Sequence, residues 1–348
     1  MNILIVDYKS SENYDFNYME SHFLGGTEST ILRVARELAR EHNVYISQLN
    51  RTERYSEEGI TYIHHLESLT QKEFVPDIII IRSKYRLLSD YGLVYPKAKM
   101  FVWAHNFQNY DILGRRHRVL KTNAQVICVS QSHRDHIDKI FNGALSWVFR
   151  LLTLQFKRVP VTYIYNVIDS DYTKTDDPYD KNKLFFFSTP NKGLKEVLHH
   201  FAELLKQAPD YHLYIAGATA EQLENYDLNK QLLASDSVTI LGRLAKSEII
   251  SHLRNSFCVF YPQHVHAETF GLVYVEANCV GTPILAHPFG AATEVIGNTE
   301  QLVDGRSSEA VVNKMLDWQK NGRPEVSCLE KTQLSNVVSR WKEVLGLN

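Results

Sequence analysis

The chain has 348 residues, of which 44% are apolar and 22% charged, with a formal net charge of −2. That length exceeds one ordinary hydrophobic core and suits two domains of a globular protein. The near-balanced charge gives no electrostatic footprint for nucleic acid, and no run of 18 or more apolar residues offers a membrane-spanning helix. Four cysteines, Cys128, Cys258, Cys279 and Cys328, lie far apart without a C-x-x-C. They read as reduced packing residues of a cytosolic protein.

In chain order, residues 2–7 form an apolar run suited to a buried parallel strand, without the basic start or cleavage site of a signal peptide. A polar, tyrosine-rich loop is expected over 8–24. It ends in Leu24-Gly25-Gly26-Thr27-Glu28, where two glycines let backbone approach a ligand and a helix start offers free amides. The same pair also makes a plain turn, and it is not the G-x-G-x-x-G of a nicotinamide site. Residues 27–41 have helical spacing through Ile31, Leu32, Val34, Ala35 and Leu38. Strands are expected over 44–49, 77–81, 100–104 and 124–130, a helix over 131–141, and a short strand over 163–165. His105-Asn106 follows the 100–104 strand, and the carboxyl end of a buried strand is a place for a functional side chain. A satisfied loop histidine is the plainer alternative. His133 and His136 read as one face of a helix.

Residues 144–158 are apolar and aromatic and carry Arg150, Lys157 and Arg158. The plainer reading is a helix packed at a domain interface. The other is a basic amphipathic helix lying on a membrane, which would make a cytoplasmic protein peripheral.

Residues 171–182 hold six charges and a proline, the best linker in the chain. A second alternation follows, with strands over 183–187, 211–216, 238–241 and 258–261 and helices over 194–207, 220–234 and 246–255. Two such alternations predict an α/β protein of two Rossmann-like, doubly wound domains, whose ligands bind beyond the carboxyl ends of the strands. The expected division is 1–170, 171–325 and a final helical segment, 326–348. Asp169-Ser-Asp171 has a metal-site spacing but reads as a linker turn. His264, His266 and His287 read as loop and core residues, so no metal is expected.

The most informative stretch is His266-Ala-Glu268-Thr-Phe270-Gly271-Leu272-Val-Tyr-Val-Glu276-Ala. It reads as a loop followed by a helix that stops before Gly281-Thr-Pro283. Glu268 stands before the helix, and Glu276 lies about 9 Å along its axis from Phe270. Free amides at the helix start suit a phosphate, an acid within the helix suits a ribose diol, and an acid before it suits another hydroxylated ring. Caps and solvated acids are the plain alternatives. Against them, Glu276 has Val273, Val275 and Ala277 as neighbours, and a carboxylate among apolar residues is seldom left unpartnered.

This segment, with Ala277-Asn-Cys-Val-Gly281-Thr-Pro283-Ile-Leu-Ala286 and Gly290-Ala-Ala-Thr-Glu294, resembles the E-x7-E region of retaining glycosyltransferases of the GT-B fold, specifically glycosyltransferase family 4. The resemblance is strong in the second half of the chain and loose in the first. It implies two Rossmann-like domains facing a cleft, the last helix crossing back to the first domain. It also implies a metal-independent transfer of a sugar from a nucleoside diphosphate sugar, UDP before GDP, to a glycan or glycolipid hydroxyl, without a cofactor. Gly25 and Gly26 would face the donor diphosphate, and His105 would lie near sugar and acceptor. Lys192, in Ser188-Thr-Pro-Asn-Lys192-Gly193-Leu194, would neutralise the leaving diphosphate. Gly217 and Arg243 match base- and phosphate-flanking loops. Glu268, Phe270, Gly271, Leu272 and Glu276 would hold the donor. The family's Gly-Arg before that lysine is replaced by Phe186-Phe187, leaving Lys195 or Arg243 as the second cation. Rival readings are a nucleotide-sugar epimerase of similar fold and an inactive sugar- or lipid-binding module.

Overall fold

The computed structural model describes residues 1–22, 24–70, 74–154 and 156–347, apart from the side chain of Phe149. Phe23 in the expected 8–24 loop, and Gln155 in the 144–158 segment, lie outside the described residues. The chain divides into two compact units, Met1–Val167 with Leu334–Asn348, and Ile168–Gln333.

The first unit is built on an eight-stranded sheet. Its strands are β1 (Asn2–Asp7), β2 (Asn43–Gln48), β3 (Tyr55–Glu57), β4 (Ile60–His64), β5 (Ile78–Arg82), β6 (Lys99–Trp103), β7 (Gln125–Cys128) and β8 (Val161–Tyr163). They lie in the order β3-β4-β2-β1-β5-β6-β7-β8. All pairs are parallel except β3 with β4. β5 carries four consecutive buried isoleucines, the mark of a strand covered on both faces. The hairpin of β3 and β4 was not expected from the sequence. It turns at Glu58-Gly59, both with positive φ, a two-residue geometry that matches strand twist. The 8–24 stretch is also not all loop. Asp15 accepts a bond from the Tyr18 amide at 2.9 Å and caps a short helix, Phe16–Ser21. The helices that matter below are α1 (Gly26–Ala39), α2 (Gln131–Asn142) and α3 (Ala144–Thr153). The C-terminal helix, Leu334–Leu345, belongs to this unit, with Trp341 fully buried and its ring 4.5 Å from that of Trp103.

The second unit has a five-stranded parallel sheet. Its strands are β9 (Asp180–Phe187), β10 (His212–Ala216), β11 (Val238–Gly242), β12 (Ser256–Tyr261) and β13 (Ile284–Ala286), in the order β11-β10-β9-β12-β13. β9 starts inside the charged stretch expected to be linker, because Asp180 pairs with Ser256 and its amide donates to Asn255. The expected 220–234 helix is two single turns, Ala220–Leu223 and Lys230–Leu233. Thr219 and Asn229 each cap a turn, and such residues favour turns over helix interiors. The longer helices of this unit are α4 (Leu194–Leu205), α5 (Lys246–Arg254), α6 (Leu272–Cys279) and α7 (Ser308–Asn321).

One expectation is overturned here. Cys279 and Cys328, 49 residues apart, form a disulfide, while Cys128 and Cys258 are free and buried. Spacing along the chain could not reveal the pair, because packing brings the end of α6 beside the segment after α7. The inference from four reduced thiols to a reducing compartment loses its ground. Among the described residues, no helix is long and apolar enough to cross a membrane.

Candidate functional site

In a doubly wound sheet the crevice lies where the strand order reverses, beyond the carboxyl ends of the strands. In the second unit that point is between β9 and β12, which run on into residues 188–193 and 262–271. Lys192 comes from the first loop and Glu268 from the second. The Lys192 ammonium donates to both Glu268 oxygens, each at 3.0 Å. Glu268 is almost wholly buried, whereas the lysine side chain keeps about a third of its surface open. Tyr261, the last residue of β12, donates its hydroxyl to Glu268 Oε1 at 3.0 Å. Burial, reinforced by the neighbouring Glu268 charge, pushes the Tyr261 phenol well above its usual range, so it remains a donor. Glu268 is thus aimed by two donors, one on the loop after β9 and one at the end of β12.

The backbone around Glu268 is equally constrained. Gln263, buried in the same loop, accepts bonds from the Val265 and His266 amides at 3.1 and 2.8 Å. It donates to the His266 carbonyl at 2.8 Å, closing the loop on itself. Gly290 lies against Glu268 so closely that a Cβ there would sit 2.5 Å from the Glu268 carbonyl oxygen. The next amide, of Ala291, donates to that oxygen at 3.0 Å. The Gly290-to-Glu294 run is therefore a brace behind Glu268.

Helix α6 begins directly after this loop, at Leu272. Gly271 caps it with a φ of 80° and supplies no side-chain bond to the first turn. The start of this helix therefore offers amides and a partial positive charge to an anion. Glu276 lies in the second turn, half-buried among Val275 and Ala277. Phe270 is buried, so its side chain serves the core. Gly217, after β10, packs on the Ser188 carbonyl and so borders the Lys192 loop. Arg243 is exposed beyond β11, two strands from β9, roughly 10 Å across the sheet. Lys195 is exposed and paired with Asp227. The structure thus gathers Lys192, Glu268, Gly271, Leu272, Glu276 and Gly217 and leaves Lys195 and Arg243 at the margin.

In the first unit the strand order reverses between β1 and β5, and their last residues are Asp7 and Arg82. Arg82 Nη1 lies 2.6 Å from Asp7 and 2.8 Å from Glu28 at the start of α1. Tyr14 donates to Asp7 at 2.7 Å. Glu28 folds back over the Gly25-Gly26 turn, its carboxylate 2.6 Å from where a Gly25 Cβ would stand. Arg82 therefore pins the glycine loop to the sheet. Asp7, Tyr14 and Arg82 escaped the sequence reading, because an acid or arginine ending an apolar strand has no local signature. His105, one strand further, is buried, and its amide donates to Ser83 Oγ at 3.1 Å. Burial, aided by the charge of Arg82, drives its pKa well below the usual histidine value, so its imidazole is neutral.

His133 and His136 do more than form a helix face. From α2 they reach the loop after β6, with Nε2 3.0 Å from the Asn106 carbonyl and 2.7 Å from the Gln108 carbonyl respectively. The Asp169-Ser-Asp171 pair is engaged by Lys246 at 2.9 and 2.5 Å. His287 lies 3.6 Å from Asp304 and faces His264 at 6.2 Å between ring centres. No group of three metal-binding side chains occurs among the described residues.

Residues 174–334 match the family described as glycosyl transferases group 1. The chain has the GT-B fold. It is similar over its whole length to the Anabaena protein Alr3699/HepE, solved in complex with UDP-glucose, with a TM-score of 0.69, 16% identity and 100% of both chains covered. Among curated relatives, D-rhamnosyltransferase WbpZ of Pseudomonas aeruginosa is 30% identical over 124 residues, 35% of this chain and 32% of that protein. A GDP-mannose-dependent monoacylated alpha-(1-6)-phosphatidylinositol monomannoside mannosyltransferase of Corynebacterium glutamicum is 28% identical over 166 residues, 45% and 42% of the two chains. The chain thus spans about a third to two-fifths of the length of these relatives.

Proposed function

We propose that the protein is a retaining, metal-independent glycosyltransferase that moves a hexose from a nucleoside diphosphate sugar to a hydroxyl of a glycan or glycolipid. The observation that carries this is the Lys192–Glu268 pair, set beside the start of α6 at the strand-order reversal of the second unit. Glu276 binds the ribose, and the α6 amides with Lys192 take the charge of the departing diphosphate. Glu268 binds sugar hydroxyls and supports the positive ring of the transition state. His105, neutral, orients the sugar or acceptor, and the Gly25-Gly26 turn, held by Arg82, serves the donor phosphates.

In the reaction the bond from the anomeric carbon to the phosphate oxygen breaks. The acceptor oxygen bonds to the same face of that carbon, and its proton passes to the leaving phosphate. No metal and no cofactor enters this scheme. UDP is the preferred nucleotude carrier over GDP, in keeping with the UDP-glucose held by the Anabaena neighbour, while the mannosyltransferase relative uses GDP-mannose. That relative's acylated acceptor favours a glycolipid here.

A panel of UDP- and GDP-sugars, scored for released nucleotide and for sugar on an acceptor, tests the reading. Transfer is expected to persist in EDTA, and the product anomer, read by NMR, is expected to match that of the donor. Interconversion of nucleotide sugars without transfer would establish the epimerase instead. Nucleotide binding with neither reaction would establish an inactive module.

A further inference from the structure

Helix α3 is inside out for a helix in water. Leu145, Trp147, Val148, Leu151 and Leu152 fall on one arc of about 160° at 100° per residue, and every one of them is exposed. The opposite side holds Ser146, fully buried with its hydroxyl on the Gly143 carbonyl at 2.8 Å. The small polar residue faces the protein and the large apolar residues face away. Leu154 and Phe156 continue the patch beyond the helix, so the expected packing of this segment at an interface is not what the exposed side chains provide. A contiguous apolar surface of this kind marks a contact site.

Charge identifies the occupant. Residues 144–158 contain Arg150, Lys157 and Arg158 and no acid, in a chain of net charge −2. Arg150 donates to the Phe156 carbonyl, Lys157 reaches Asn123 at 2.8 Å, and Arg158 pairs with Asp138 at 3.2 Å, which leaves Arg150 and Lys157 as the cations beside the apolar arc without an acidic partner in these contacts. A second copy of this chain docking face to face would set like charges against one another. An apolar face with a cationic rim instead complements the acyl region and anionic headgroups of a bilayer.

We propose that α3 and the residues following it are a monotopic docking surface for an anionic phospholipid membrane. Trp147 and Leu152 enter the acyl boundary, while Arg150 and Lys157 meet the phosphates. The surface is argued independently of the transfer reaction.

The test is flotation of the full chain with vesicles of phosphatidylcholine plus phosphatidylglycerol, beside vesicles of phosphatidylcholine alone. Trp103, Trp318 and Trp341 are buried, so Trp147 is the reporter that sees the lipid. Anionic vesicles are expected to carry the protein and shift its tryptophan emission to the blue, at least about tenfold more strongly than neutral ones. Leu151→Glu with Leu152→Glu is expected to abolish both effects with an unchanged circular dichroism spectrum and unchanged transfer to a soluble acceptor. Wild-type protein that stays with the soluble fraction, or a variant that still floats, would overturn the proposal. So would a concentration-dependent dimer that the double variant dissociates. Neither vesicle signal depends on transfer, so failure here leaves the proposed reaction standing, and failure of the reaction leaves this surface standing.

Discussion

Glu268 is a buried carboxylate, and such a group is stable only when its charge is met. Lys192 and Tyr261 meet it, the first from the loop after β9 and the second from the last position of β12 in the same sheet. Glu268→Gln keeps the shape but removes the charge that the proposed transition state needs, so kcat is expected to fall by about 100-fold or more. Steady-state kinetics with an unchanged melting temperature checks it. Lys192→Ala is expected to raise KM for the donor and lower kcat together, since the partly open ammonium meets the diphosphate as well as Glu268. Tyr261→Phe removes one bond to a buried charge. The expected cost is about 1 to 2 kcal/mol in urea unfolding, with a smaller loss of transfer than Glu268→Gln gives.

Helix α2 acts as a clamp. His133 accepts a bond from the Val129 amide at 3.4 Å and donates to the Asn106 carbonyl, a pattern that requires the neutral ring. Burial lowers its pKa to about 4 from an ordinary value of 6.5. The unfolded chain therefore binds a proton across this window that the folded chain refuses. Stability from this group is fully present above pH 6.5 and is lost as pH falls towards 4. The expected loss is about 3 kcal/mol over that range, at 1.36 kcal/mol per pKa unit. Urea titrations between pH 7 and 4 should show it, and His133→Gln should flatten the slope. His105, lowered by burial in the same loop, adds a change of the same sign.

At the scale of the molecule, the two units have separate sheets and cores, so calorimetry is expected to show two transitions. The disulfide closes a 49-residue separation within the second unit alone. Reduction is expected to destabilise that unit by about 4 kcal/mol in the chain-entropy account, leaving the first transition where it was. A nucleoside diphosphate that binds at the β9–β12 crevice should raise the second transition only. Much of this was legible in the sequence. Apolar runs such as β1 and β5 announce buried strands, because a strand covered on both faces excludes polar groups whatever its neighbours are. The Glu268-to-Glu276 stretch could be read because loop, cap and helix are local events. The Cys279–Cys328 bond, the Arg82 cluster, and the reach of His133 to Asn106 were not legible, since each joins residues distant in sequence whose local surroundings are ordinary. Periodicity set the strands and helices and the types of residue at their ends. Which ends share a crevice, and which apolar face of α3 stays open, were decided only by strand order and packing, because those are properties of how segments meet rather than of any segment.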